Sequence, residues 1–275
     1  MNTPGLPRQR LPRRDCRRTG FTSSIRDGAG AYRLHPGIRY GRNRPHRVKN
    51  MHFPQRLIDG YNAFAEGRLL NEQNRYRELA EAGQSPEIMV VGCCDSRVSP
   101  EVIFDARPGE LFVVRNVANI IPPYSPDGQA HGVSAALEFG VAALKVKHIV
   151  VLGHAQCGGV GAFAQDIDNS REPLSPGDFI GRWMSLMQPA AEKIGPRGND
   201  TPSQYQVRLE HANIANSLDN LMTFPRLAKL IDRGDIQTHG AYFGVASGEL
   251  YVMDKAGGAF SRVAASGPAF QTPRF

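Results

Sequence analysis

Ile88-Met89-Val90-Val91-Gly92-Cys93-Cys94-Asp95-Ser96-Arg97 and His148-Ile149-Val150-Val151-Leu152-Gly153-His154-Ala155-Gln156-Cys157 follow one plan. In each, a short run of β-branched and apolar residues ends in metal-ligating and charged side chains. Unbroken apolar runs of this length read as strands covered on both faces, the mark of a largely parallel sheet. Such sheets bind ligands beyond the carboxyl ends of their strands. Cys93 and His154, 61 residues apart, can therefore meet at one point, with Cys157 on the turn after His154. Two soft sulfurs and one imidazole make a three-ligand site suited to zinc, which leaves the fourth position open for water.

Outward from these strands, periodicity and turn residues predict alternating elements. Helices are expected at 54–66 and 71–82, stopped by Gly83, and strands at 87–93 and 111–115. A helix at 131–144 precedes a strand at 147–153, and the Gly158-Gly159 pair turns the chain tightly into a helix at 158–165. Helical stretches at 176–194, 203–222 and 225–233 lead to late strands at 238–245 and 249–253, joined as a hairpin through Ala246-Ser247-Gly248. The fold class is α/β: a largely parallel central sheet with an antiparallel edge strand, flanked by helices.

The chain has 275 residues and a net charge of +7, but the charge is unevenly placed. Residues 1–50 carry twelve Arg and one Lys against Asp15 and Asp27, leaving 20 basic and 24 acidic residues in 51–275. The acidic balance of 51–275 argues against a nucleic-acid partner. No apolar run is long enough to cross a bilayer, and no secretory signal pattern is present, so no membrane association and a cytoplasmic location are expected. Four cysteines (16, 93, 94 and 157) do not form a disulfide framework.

Residues 1–50 mix Pro, Gly and Arg without periodicity and read as a disordered basic tail. Three accounts of it stand: an upstream start assigned in error with Met51 the true start, a solvated tail without a role, or an Arg-rich targeting extension. Residues 51–275 read as a single domain.

Taken singly, His154 reads as well as a hydrogen-bonded core histidine, and Cys93 or Cys157 as a small buried hydrophobe. Their joint placement at matching strand ends favours the metal. Strand alternation sends Cys94 to the opposite face from Cys93, into core packing. Asp95 lies beside the site, where its carboxylate could ligate the metal or accept a hydrogen bond from bound water. Arg97 would keep it ionised through a forked, charge-assisted contact. Gln84 by itself is a loop amide, and Phe112 and Phe139 are core aromatics. Neither His131 nor His148 is assigned as a ligand.

The segments Cys93-x-Asp95-Ser96-Arg97, Pro108-Gly109-Glu110-x-Phe112 with Arg115-Asn116-x-Ala118-Asn119, and Gly153-His154-x-x-Cys157-Gly158-Gly159 resemble the β-class carbonic anhydrases. Pro122-Pro123-Tyr124 resembles the plant-type branch. The resemblance covers essentially all of 51–275, is densest at 84–160, and does not extend into 1–50. It implies a zinc lyase, one Zn(2+) per chain on Cys93, His154 and Cys157, that hydrates carbon dioxide reversibly to bicarbonate and a proton by attack of zinc-bound hydroxide. Zinc brings the pKa of bound water into the neutral range in the three-histidine carbonic anhydrases of unrelated fold.

The resemblance further implies that the Asp95–Arg97 pair orients that hydroxide. Gln84 would bind bicarbonate, and Phe112 and Phe139 would line an apolar slot for the gas. It implies a homodimer or larger even homo-oligomer, with the N-terminal helices packed on the partner and part of each pocket crossing the interface. Phe139 stands where the plant-type pattern has Tyr, and Val90 where members with an inhibitory bicarbonate pocket carry Trp. No such pocket is expected. The nearest alternative with the same ligands is a hydrolase of carbon disulfide or carbonyl sulfide; a non-catalytic zinc module would need a closed fourth ligand, and a redox role for Cys93-Cys94 would need an unmasked thiol.

Overall fold

The structure, a computed structural model, describes residues 53–166, 176–254 and 258–264. The readings of residues 1–50 lie outside them. The described chain opens with α1 (Gln55–Glu66) and α2 (Arg68–Ala82), then β1 (Ile88–Cys93), the short α3 (Pro100–Ile103) and β2 (Leu111–Asn116). A 3-10 turn at Val117–Asn119 leads to α4 (Gly132–Glu138), which continues as a π turn over Phe139–Leu144. Then come β3 (His148–His154), α5 (Gly158–Asp166), α6 (Phe179–Met184) and α7 (Gln188–Ile194). The last elements are α8 (Pro202–Leu221), α9 (Pro225–Asp232), β4 (Gln237–Phe243), β5 (Leu250–Met253) and β6 (Phe260–Arg262).

The six strands form one sheet in the order β2-β1-β3-β4-β5-β6. The first four are parallel, with Gly92 opposite both Arg115 and Leu152; β5 and β6 run antiparallel at the edge. From β1 the chain steps to β2 on one side, and β3 lies on the other. The connection order therefore reverses between β1 and β3, and the carboxyl ends of two strands at such a reversal are where open α/β sheets bind ligands.

Alternation along the strands sorts the core. Met89, Val91, Ile149 and Val151 point to the face covered by α4, α8 and α9, packing with Leu137, Ile214, Leu221 and Leu227. Val90, Leu152 and Ala241 point the other way, among half-buried Ile88, Leu111, Val113 and Val150. A third cluster gathers Cys93, Ala118, Cys157, Met187 and Leu209 at the carboxyl end.

Several expectations shift. The helix foreseen over 131–144 becomes an α-helix that widens into a π turn, ended by Lys145 in the left-handed region (φ 58). The stretch 176–194 divides into α6, a 3-10 turn at Ser185–Met187 and α7, whose Pro189 cannot supply an N–H to a continuous helix. Cys94 is exposed rather than packed in the core. The strand ends at Cys93, so its alternation no longer governs the next side chain. The tight turn beyond β3 falls at Gln156 (φ 56) rather than at the glycine pair. Gly159 serves close approach instead, since a Cβ there would lie 2.8 Å from Val117 Cγ1.

Candidate metal centre

β1 ends at Cys93 and β3 at His154, and the backward turn at Gln156 brings Cys157 to the head of α5. The donor atoms of Cys93, His154 and Cys157 all lie within 4.8 Å of one another, and all three residues are buried. The two Sγ atoms are 3.9 Å apart and unoxidised. Two sulfurs about 2.3 Å from a tetrahedral zinc would stand about 3.8 Å apart. His154 Nδ1 lies 2.9 Å from the Ala155 carbonyl, an acceptor that makes Nδ1 the protonated nitrogen. That leaves the lone pair on Nε2, which is buried without a partner. The donor set and the orphaned nitrogen fit zinc.

Backbone N–H groups converge on the sulfurs. Asp95 N donates to Cys93 Sγ at 3.4 Å and Ala118 N also donates to it, while Gly159 and Val160 N–H groups face Cys157. Ala118 reaches this position from the left-handed region (φ 64, ψ 26), a conformation that costs a residue with a Cβ about 1–3 kcal/mol. The Cys157 hydrogen bond, against the opposing effect of burial and with help from His154, lowers the Cys93 thiol to about 4. Hydrogen bonding to Cys93 and burial raise the Cys157 thiol. Burial resists charge on His154, yet the Cys93 thiolate raises its pKa above the usual histidine value. One proton leaves the thiol pair easily and the second is held.

Asp95 and Arg97 sit on the rim of this cluster. Arg97 Nε and Nη2 donate to the two Asp95 oxygens at 2.9 and 2.7 Å, and the Arg97 backbone N donates to Oδ1 at 3.0 Å. These bonds, led by the guanidinium fork, hold the carboxyl well below the usual range. Arg97 Nη2 also donates to the Gln156 carbonyl at 3.0 Å, tying the pair to the β3 turn. Asp95 Oδ2 lies 4.0 Å from His154 Nε2.

Two residues of the Arg115-Asn116-x-Ala118-Asn119 segment hold the backbone around the ligands. Arg115 donates to the carbonyls of Cys93 (2.8 Å) and Asp95 (2.7 Å), clamping the segment that carries the first ligand. Asn116 closes the following loop by bonding both ways with the Ile120 backbone at 2.8 and 2.9 Å.

Gln84, Phe112 and Phe139 do not join this cluster within one chain. Gln84 is exposed, ahead of the amino end of β1. Phe112 pairs with Met89, four residues before Cys93, or about 13 Å along a strand. Its ring lies 5.9 Å from that of Phe139. The three therefore mark the amino edge of the sheet, while the sulfurs mark the carboxyl edge.

A family profile described as carbonic anhydrase matches residues 88–250. A carbonic anhydrase of Pseudomonas aeruginosa is 33% identical over 76% of this chain and 91% of its own length. The chloroplastic β carbonic anhydrase 5 of Arabidopsis thaliana is 34% identical over 66% of this chain, which spans 58% of that relative's length. Among solved structures, the β-carbonic anhydrase CcaA superposes with a TM-score of 0.70 at 29% identity, covering 77% of this chain and 92% of that one. With the Cys-His-Cys cluster at the switch point of the sheet, these likenesses show that the chain belongs to the β-class carbonic anhydrases, zinc lyases that interconvert carbon dioxide and bicarbonate.

Proposed function

We propose that Asp95 and Arg97 are the working pair of carbon dioxide hydration in this chain, and that Gln84, Phe112 and Phe139 of a second copy complete the pocket. When bound at Cys93, His154 and Cys157, zinc supplies a Lewis acid that makes hydroxide available at neutral pH. Both Asp95 oxygens are engaged by Arg97, so the carboxylate stays ionised and fixed in direction. In that state it can only accept a hydrogen bond. It takes the O–H of the attacking oxygen and leaves that oxygen's lone pair facing the carbon of the gas. The N–H groups on the sulfurs draw negative charge from the thiolates, countering their tendency to make the metal a weaker acid.

The observation that carries this reading is the two-point Arg97 clamp on a carboxylate 4.0 Å from the free nitrogen of the ligand set. In Asp95→Asn the side chain can donate as well as accept, so orientation is lost. Stopped-flow hydration should fall by about 10–100-fold while zinc stays at one per chain. Loss of zinc from the variant would make Asp95 a structural ligand, and unchanged turnover would end the proposal.

A homodimer is supported by surfaces that one copy leaves uncovered. α1 and α2 bury no residue, and Leu57, Tyr61 and Leu70 are exposed on them. An antiparallel pair could set one copy's amino sheet edge beside the other's carboxyl edge, joining the two halves of the pocket. A cytoplasmic location agrees with the need for reduced thiols. Among the described residues, no helix is long and apolar enough to cross a membrane.

A further inference from the structure

One buried carboxylate has no part in the chemistry described above. Glu210, on α8, is 2% exposed. Its Oε1 accepts from the Cys157 backbone N (2.9 Å) and from Gln206 Nε2 (2.9 Å), and its Oε2 accepts from the Tyr242 hydroxyl (2.7 Å). Gln206 Nε2 also donates to the Cys157 carbonyl at 3.1 Å, so the peptide groups on both sides of that ligand's Cα are held from the same helix. Tyr242 on β4 pairs with Gly153 on β3, one residue before the histidine ligand.

Gln206 and Glu210 begin a polar stripe along α8. Asn213 donates to the Ala118 carbonyl (2.7 Å), Ser217 donates to the Asn119 carbonyl (3.3 Å), and Asn220 donates to the Ile121 carbonyl (2.8 Å). Spacings of four, three, four and three residues keep these five on one helical face. That face runs along the backbone loops that carry Cys157 and the N–H group directed at Cys93.

We infer that Glu210 is a positioning residue of the metal centre: from α8 it fixes the backbone of Cys157 and so sets how firmly, and in what geometry, the metal is held. A three-ligand site on two strand ends and a turn has little rigidity of its own at Cys157, the ligand that lies outside the sheet. A carboxylate fits this place because every group facing it is a donor. Glu210→Ala would leave the Cys157 N–H and the Tyr242 hydroxyl buried without acceptors. Glu210→Gln keeps an oxygen for the Cys157 N–H and can turn its amide N–H toward the Tyr242 oxygen.

The inference rests on the metal centre alone and not on the roles of Asp95 or Arg97, so its test reads the metal rather than turnover. The full chain, loaded with Zn(2+) or Co(2+), is challenged with excess EDTA, metal release is timed, and the visible spectrum of the Co(2+) form is recorded. Glu210→Ala should release metal about 10-fold faster or more, with shifted Co(2+) bands, while Glu210→Gln stays within about twofold of the parent protein. Gln206→Ala, at a half-buried position, removes two bonds of the network and should speed release several-fold; it decides the matter if Glu210→Ala does not fold. The inference is overturned if Glu210→Ala melts lower but keeps the parent's release rate and spectrum, which is what a core buttress would do. It is equally overturned if Glu210→Gln fails as badly as Glu210→Ala, or if Gln206→Ala releases metal at the parent's rate.

Discussion

At Cys93 and Cys157 two thiols 3.9 Å apart share a pocket that a metal must enter without their protons. Their mutual bond eases the first proton off the pair, lowering Cys93, and together with burial it holds the second, raising Cys157. Zinc uptake at pH 8 should therefore release at least one proton per site, and affinity should fall as the pH drops, because His154 has a raised pKa and becomes a second proton to displace. Calorimetric titration in two buffers of different ionisation enthalpy measures the number; no proton release at pH 8 would refute the coupled pair. The ligands were legible in the sequence because each sits directly at the end of an apolar run or one turn beyond it. The exposure of Cys94 was not, since the chain leaves the strand at Cys93 and its next direction depends on the bond from Cys94 N to the Asn116 carbonyl, 22 residues downstream.

Helix α8 is the element whose polar face bonds to the backbone of Cys157 and Ala118. Its start is written locally: Thr201 and Gln204 form a reciprocal capping box and Pro202 occupies the first turn. Its seat against the sheet requires Gly153, where a Cβ would come within 2.6 Å of Ile214 Cδ1 and 2.8 Å of Cγ1. Ile214 is fully buried and has nowhere to move. Gly153→Ala should cost about 1–3 kcal/mol by overpacking, read as a lower urea midpoint with unchanged slope, and Ile214→Val should recover part of the loss in the double variant. An unshifted midpoint would mean that α8 can slide without cost. Helix existence followed from pattern here and at α9. The breaks within 131–144 and 176–194 did not: the first falls beside Gly140, where a Cβ would lie 3.1 Å from Met89 Sδ, a neighbour brought there from a distant segment.

For the whole molecule, the decisive geometry is the separation of Gln84 and the Phe112–Phe139 pair from the sulfurs, at opposite edges of a parallel sheet. If a second copy supplies them, Asp95→Asn and Gln84→Ala damage each site from different chains. Mixing the two variants after reversible dissociation then creates heterodimers with one doubly damaged and one intact site. Hydration in an equimolar mixture should rise to about a quarter of the parent activity, well above either variant alone. A mixture no better than the average of its components would place all pocket residues in one chain.

The sequence by itself determined the α/β class, the strands that bear Cys93 and His154, the Asp95–Arg97 pair and the membership of the ligand set. Those features are written along the chain, in apolar runs and in residues a few positions apart. Only the tertiary structure decided that Arg115 bonds to the Cys93 backbone, that Glu210 accepts from the Cys157 N–H 53 residues away, and that Phe112 and Phe139 lie at the far end of the sheet from the sulfurs. A polar residue within a helix has no local signature of its partner. What it bonds depends on how the helix is rotated and pressed against the sheet, which is set by packing of the whole core.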